Sequence, residues 1–393
     1  MKKLFKGGNV YDSDKRCFMK TDVLIDDDVI VSVSDNHGPG DVSETVDCEG
    51  KYLIPGLVDV HTHGRVGHDF NRVDERAVIE LRRSYAEAGT TTLMATLASA
   101  PLDDLFDSAD VINKQRETTP GLATIAGIHL EGRYLNPKKR GAHNIDYLSS
   151  PDDGMISALI DRMCPLPVHV SAAPELDPTG NFIKTVIEKG ATFGIAHTDA
   201  TFEEASAAVS RGAVSFTHTF NAMRPIHHRE PGATGCSLLS DSSFSEFICD
   251  GEHIHPEMIK LASRIKPAGR IVLITDSMEA AGSGDGEYEI GGLHVTVTGG
   301  RALTDDGALA GSTLDLFTAV RNYMRFTGKP LEDVLPSATV NPASMVGIEK
   351  MCGRILPGLR ADIIIISDKE DPQIDEVYSA GAPVRVLRDR RKG

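Results

Sequence analysis

The chain has 393 residues, 57 acidic against 41 basic side chains, and a formal net charge of −16. That length suits one large domain with a smaller one beside it. The acidity excludes general nucleic-acid or anionic-membrane binding, which need a basic face, so an anionic small molecule must be held by a local basic patch.

The N-terminus, Met1-Lys-Lys-Leu-Phe-Lys-Gly-Gly8, is charged and lacks the apolar core of about 7–15 residues that marks a signal peptide. No run approaches the ~18 apolar residues of a membrane span. Cys17, Cys48, Cys164, Cys236, Cys249 and Cys352 form no Cys-x-x-Cys pair. They read as reduced thiols of a cytoplasmic protein. Residues 1–54 alternate short β-like runs, Lys3–Tyr11, Asp22–Ile25, Val29–Val33 and Lys51–Ile54, with turns at Asp26–Asp28 and His37–Gly40. This predicts a small antiparallel β-layer. Residues 349–393 share that character, with an apolar strand at Asp362–Ile366, and both ends are expected to pair into one discontinuous β-sandwich domain.

Between them, residues 55–348 repeat buried strand, loop and amphipathic helix. Strands are predicted at Leu57–His63, Thr91–Leu97, Ala123–Leu130, Val168–Ala172, Thr192–His197, Val214–Thr219, Phe247–Cys249 and Ile271–Thr275. Helices are predicted at Glu75–Ala88, Leu102–Arg116, Met155–Met163, Phe202–Arg211 and Pro256–Lys266. Eight strands mostly separated by helices fit a TIM-type (β/α)8 barrel. A doubly wound sheet is the alternative, but no Gly-x-Gly-x-x-Gly turn follows the first strand.

The first barrel strand ends in His61 and His63, which share one face because alternate strand residues point the same way. Catalytic groups of such barrels lie at the C-terminal strand ends. There the third strand brings Glu131, the fifth His197, the sixth His218 and the eighth Asp276. Each alone reads as a hydrogen-bonded core residue or a helix cap; six at one rim point to a divalent metal site. Nitrogen and carboxylate donors without thiolate suit one or two ions of Zn, Fe, Mn or Co. Such a site activates water and polarises a carbonyl. Asp276 is the candidate to take the water's proton and pass it to a leaving amine, and Glu131 can bridge two ions. His143, in Gly141-Ala-His-Asn144, is either a solvent-facing loop histidine or a donor to a carbonyl oxygen gaining charge.

With these residues assembled, the chain resembles the amidohydrolase superfamily and, within it, the N-acetylglucosamine-6-phosphate deacetylase family. The resemblance rests on Pro55-Gly-Leu-Val-Asp-Val-His-Thr-His-Gly64, His129-Leu-Glu-Gly132 with Leu135-Asn-Pro-Lys-Lys-Arg-Gly-Ala-His143, Thr217-His-Thr-Phe-Asn-Ala-Met223 and His227-His-Arg-Glu-Pro-Gly232. Asp250-Gly-Glu-His253, Ile274-Thr-Asp276, Leu309-Ala-Gly-Ser-Thr313 and Asn341-Pro-Ala343 extend it. It implies that Glu131, His197 and His218 hold the principal metal, that His61 and His63 can hold a second, and that Asp276 is general base and acid. It implies a sugar-phosphate pocket lined by Ala142, Asn221, Ala222 and Arg229, by Asp250, Gly251, Glu252 and His253, and by Leu309, Ala310, Gly311 and Ser312. Arg229 is the implied phosphate ligand. Its loop can reach a neighbouring subunit's site in this family, which implies a homodimer.

Departures from the family pattern are Arg133-Tyr134 after His129-Leu-Glu-Gly132, Glu252 in the Asp-Gly-x-His turn, and Ala-His-Thr-Asp at the fifth strand's end. None removes a ligand, but Arg133 and Glu252 are expected to add charge near the pocket. Among rivals, a cyclic-amide hydrolase with a carboxylated lysine is disfavoured because the fourth strand region, Pro165–Glu175, has no lysine. Its one imidazole, His169, is expected in the core. An N-acetyl-amino-acid deacetylase has no use for the phosphate loops, and a silent barrel would have lost ligands that this chain keeps.

Overall fold

The computed structural model describes residues 1–35 and 42–384, so the turn expected at His37–Gly40 lies outside the described residues. Both chain ends join one eight-stranded sheet of Lys2–Asp12, Cys17–Asp26, Val29–Val33, Glu44–Asp47, Tyr52–Pro55, Ile363–Ile366, Ile374–Ser379 and Ala382–Pro383. The run of isoleucines at 363–366 lies antiparallel to Tyr52–Pro55, stitching the C-terminal strands to the N-terminal ones. Phe5 and Tyr378 meet edge to face with ring centroids 4.8 Å apart. Two strands separate theirs in the sheet order, which in a flat sheet would hold them about 14 Å apart. The sheet is therefore folded over a core of its own that includes Phe5, Val23, Ile25, Leu53, Ile363 and Ile365. The expected layer was wholly antiparallel. Lys2–Asp12 instead runs parallel to Glu44–Asp47 and Tyr52–Pro55, because the chain reaches its second edge by a crossover and not a hairpin.

The central sheet has eight parallel strands in chain order: β1 (Leu57–Thr62), β2 (Thr90–Ala98), β3 (Thr124–Glu131), β4 (Val168–Ala172), β5 (Thr192–Ile195), β6 (Ser215–Phe216), β7 (Phe244–Ile248) and β8 (Ile271–Ile274). Backbone hydrogen bonds from Asp276 N to His61 O (2.9 Å) and from His63 N to Ser277 O (2.8 Å) bring the last strand back to the first. The TIM-type barrel predicted from the sequence is thus present. Every residue of β1 to β4 is buried, as expected of strands with helices outside and a packed interior.

Four of the helices combine an apolar stripe with an Asp or Thr side-chain cap. Asp74, Asp152 and Asp315 accept from the third backbone N–H of Glu75–Glu87, Asp153–Met163 and Leu316–Thr327, and Thr201 with Glu204 closes a capping box on Phe202–Ser210. Leu102–Lys114 and Pro256–Ile265 complete the expected set, and Asn181–Glu188, Gly232–Leu239 and Leu316–Thr327 are additional. Gly232–Leu239 escapes periodicity because it is buried almost all round. Also unforeseen is a three-stranded sheet of Gly286–Ile290, Leu293–Thr298 and Arg301–Thr304. Its turns are Gly291-Gly292 and Gly299-Gly300, all with φ between 53° and 81°, a hairpin signal that was legible in the sequence.

Candidate metal centre and its cavity

All six residues read from the strand ends converge. Glu131 is the last residue of β3, His61 lies within β1, and His63, His197, His218 and Asp276 sit just beyond β1, β5, β6 and β8. The Glu131 carboxylate is at the centre. Its Oε2 lies 3.3 Å from His61 Nε2 and 3.0 Å from His63 Nε2, while its Oε1 lies 2.9 Å from His218 Nε2 and 3.4 Å from His197 Nε2. Asp276 Oδ1 closes the first side, 3.2 Å from both His61 Nε2 and His63 Nε2. One carboxylate thus faces a histidine pair on each side.

Three of these residues leave their strands through left-handed backbone, with φ of 43° at His197, 30° at His218 and 50° at Asp276. Such strain at non-glycine residues costs of order 1–3 kcal/mol each and persists only where surrounding structure imposes it. It also explains why β5 and β6 stop short of the predicted His197 and Thr219: the chain turns there to aim the side chains inward. Gly132 answers another constraint. With φ of 148°, it would place a Cβ 2.6 Å from the Ser99 backbone nitrogen, so glycine lets β3 pass against the end of β2.

The donors fit a cation. Burial alone would raise the Glu131 carboxyl, but the His61 charge and hydrogen bonds from His197, His218 and His61 hold it well below the usual range. Asp276 is treated likewise by His61 and His63. Burial opposes charge on His63, yet hydrogen bonds to Asp276 and Glu131 raise it to about 9. The imidazoles supply the positive charge that keeps these carboxylates ionised, and a bound cation would take over that role. The donor separations also match the roughly 3.3 Å edges of a tetrahedron about an ion with bonds near 2.0–2.2 Å. His63, His61, Glu131 and Asp276 form one such group, and Glu131, His197 and His218 another, with the two imidazole Nε2 atoms 3.1 Å apart.

His143 is not a solvent-facing loop histidine. It is buried, with Nε2 3.7 Å from Glu131 Oε2. Ser99 Oγ accepts from Arg133 N (2.9 Å), leaving its hydroxyl hydrogen for His143 Nδ1 (3.0 Å), which also accepts from Ser99 N (3.4 Å). Nδ1 is therefore the acceptor and Nε2 carries the hydrogen, aimed at the cavity. Burial pushes this imidazole down to about 3, so it is a neutral donor at physiological pH.

A cavity of about 320 Å³ opens over the centre, lined by Ala142, Asn221, Ala222, His253, Leu309 and Gly311 among the predicted residues. Others act from behind. Ala310 is buried in the small hairpin core, and Ser312 Oγ donates to Thr275 O (2.6 Å). Asp250 accepts from His253 Nδ1 (2.6 Å) and His253 N (2.9 Å), orienting His253, whereas Gly251 and Glu252 do not line the cavity. Two expected charges turn away: Glu252 pairs with Arg301 at 3.4 Å, and Arg133 Nη1 donates to Ala100 O (2.6 Å). Arg229 lies outside the cavity on an exposed turn, its guanidinium 2.9 Å from His228 Nε2. The cations that do line the cavity are Lys138 and Lys139.

Sequence reasoning missed the groups beneath the centre. Asp59 accepts from Thr275 Oγ1 (2.6 Å) and His61 N (3.3 Å), tying β1 to β8. His129 packs edge-on to His61 with ring centroids 4.6 Å apart, and His169 bonds Thr192 in the core as expected. Glu246 is buried in β7, whose predicted start at Phe247, three residues after the observed one, left it out. Acids inside the apolar runs Leu57-Val-Asp-Val60 and Phe244-Ser-Glu-Phe-Ile248 were the available signal.

A parallel barrel whose strand ends converge on a buried carboxylate, four imidazoles and a second carboxylate has the donors to hold a divalent metal ion. Residues 52–386 match the Amidohydrolase family. N-acetylglucosamine-6-phosphate deacetylases from Vibrio furnissii (31% identical, covering 91% of this chain and 89% of that protein) and Bacillus subtilis (36%, 80% of each) are similar in sequence. A structure of the deacetylase of that name from Pasteurella multocida has a TM-score of 0.89 at 25% identity, covering 98% of this chain and 99% of the other. A mutant of the Mycobacterium smegmatis enzyme, in complex with N-acetyl-D-glucosamine-6-phosphate, has a TM-score of 0.88 at 29% identity, covering 98% and 100%. The chain belongs to the amidohydrolase family and, within it, to the N-acetylglucosamine-6-phosphate deacetylases.

Proposed function

We propose that the chain hydrolyses the acetamide of N-acetyl-D-glucosamine 6-phosphate, giving D-glucosamine 6-phosphate and acetate, in amino-sugar catabolism or recycling. The observation that carries this reading is the Glu131 carboxylate facing a histidine pair on each side, with Asp276 and His143 on the same cavity. Glu131, His197 and His218 would hold one divalent ion (Zn, Fe, Mn or Co), and His61 and His63 a second across Glu131. A bound ion supplies Lewis acidity, polarising the acetyl carbonyl and lowering the pKa of a water. Asp276 accepts the proton of the attacking water and returns it to the departing amine nitrogen. His143 donates its Nε2 hydrogen to the carbonyl oxygen as charge gathers there.

Asn221, Ala222, His253 and the Leu309–Gly311 loop would position the sugar. Arg229, exposed and without a carboxylate partner among the described residues, would bind the phosphate in the cavity of a second copy, in a homodimer. A guanidinium suits that task because it can donate two parallel hydrogen bonds. Six unpaired cysteines support a reducing, cytoplasmic setting, and no helix among the described residues is long and apolar enough to cross a membrane.

The direct test is deacetylation of a panel of phosphorylated and free N-acetyl hexosamines. N-acetylglucosamine 6-phosphate is expected to be the best substrate. The galactosamine epimer is a necessary arm, because an N-acetylgalactosamine-6-phosphate deacetylase of Escherichia coli O157:H7 is 32% identical over 81% of this chain and 84% of that protein. Preference for the epimer would move the assignment to it, and preference for free sugars would overturn the phosphate reading. Separately, His61→Asn/His63→Asn should bind about one ion fewer per chain than wild type by elemental analysis, since one side of Glu131 loses its imidazoles. Equal metal content would remove these residues from the ligand set.

A further inference from the structure

Besides Asp59, which ties β1 to β8, the barrel interior holds a carboxylate that the reaction above does not use. Glu246, on β7, is 1% exposed, and no lysine or arginine forms an ion pair with it among the described residues. Its Oε2 has two partners, and both belong to the metal centre. His61 Nδ1 lies 3.5 Å away, and the His218 backbone N–H donates from 3.3 Å. His61 and His218 stand on opposite sides of Glu131, so a single buried oxygen touches a donor of each side.

We infer that Glu246 is a positioning residue for metal binding, acting chiefly by fixing the tautomer and orientation of His61. As a metal ligand His61 must be neutral, and a neutral imidazole has one N–H. If Glu246 accepts it at Nδ1, the Nε2 lone pair must face Glu131, His63 and Asp276, the orientation a ligand needs. Without the acceptor, the proton can move to Nε2, where it finds the Glu131 and Asp276 carboxylates at 3.3 and 3.2 Å and blocks coordination. No other ring acceptor for His61 Nδ1 is available among the described residues. The edge-on His129 ring leaves room for rotation only against its own bonds to Ser171 Oγ (2.8 Å) and Thr96 Oγ1 (3.3 Å). The contact with the His218 N–H is a second restraint, on a residue whose φ of 30° needs one.

This inference rests on the metal reading of the site, and a double-mutant cycle separates the two. Zinc affinity of the full chain is measured by chelator competition for wild type, Glu246→Gln, His61→Asn and the double variant, with the melting temperature of each zinc-free protein recorded. Glu246→Gln, whose neutral amide is a weaker acceptor and can turn its NH2 toward Nδ1, is expected to weaken zinc binding about 10–100-fold in the wild-type background, the usual cost of disturbing the partner of a metal-binding histidine. In the His61→Asn background it should change affinity by less than about 2-fold, because the group it acts through is gone. Unchanged affinity in the first background, or an equal loss in both, overturns the positioning role while leaving the metal site standing. Absence of zinc uptake by wild type would instead overturn the metal reading and this inference with it. Should Glu246→Gln fail to fold, Glu246→Asp enters the same cycle. It keeps the charge but withdraws it by one methylene, so the same coupling to His61 is expected.

Discussion

Asp276→Asn is expected to lower turnover by at least ~10²-fold while metal content stays near that of wild type, the lower range for loss of a general acid–base group. The variant tests chemistry and not folding, for two reasons. Asp276 has φ of 50°, a left-handed conformation that asparagine tolerates at least as well as aspartate. Its backbone is also held on both sides, donating to His61 O (2.9 Å) and accepting from Ser312 N (2.8 Å). The amide keeps an oxygen where Oδ1 now lies 3.2 Å from His61 and His63, but it cannot take and return a proton. Turnover and elemental analysis on one preparation decide the matter. Substantial turnover with metal intact would remove Asp276 as the proton carrier, and a large loss of metal would reassign it as mainly a ligand.

The second large effect concerns substrate charge. Arg229→Ala should weaken binding of the phosphorylated substrate by roughly 2–5 kcal/mol, the range for truncating one partner of a buried charged pair, and scarcely affect free N-acetylglucosamine. The low end is already about 30-fold. The competing cations are Lys138 and Lys139, which line the cavity of their own chain. Lys138 is exposed and Lys139 Nζ donates to Met223 O (3.3 Å), so their pull on a phosphate should be weaker and screened by salt. Arg140 is left out of the comparison because its Nη1 donates to His143 O (3.0 Å), and its loss would disturb His143 as well. Arg229→Ala is set against Lys138→Ala/Lys139→Ala, with both substrates at two salt concentrations. Equal losses on phosphorylated and free sugar would sink the phosphate role of Arg229. A larger, salt-insensitive loss from the lysine pair would transfer that role to the cavity's own rim, and no second copy would be needed.

The barrel and its candidate metal centre were legible because both follow from local pattern. Eight apolar runs separated by helices imply the barrel, and the barrel rule assigns their C-terminal ends to one rim. His61, His63, Glu131, His197, His218 and Asp276 could therefore be collected from sequence without a single distance, and the structure brings all six together. What local pattern could not reveal depends on contacts between distant segments. That His143 is buried follows from Ser99, on another loop, satisfying its Nδ1. That Arg133 and Glu252 point away from the cavity follows from Ala100 O and Arg301 capturing them. Hairpin turns at Gly291-Gly292 and Gly299-Gly300 were readable, but not that the sheet they make would bring Ile290 and Leu309 over the mouth. The strain at His197, His218 and Asp276 leaves no trace in residue type, because packing around the centre imposes it and no local preference does. Residue periodicity and strand-end identity thus determined the barrel and the six residues gathered at its rim, and the family motifs implied the reaction. Only tertiary structure decided which side chains face the cavity, since that depends on which partner, often far along the chain, satisfies each buried polar group first.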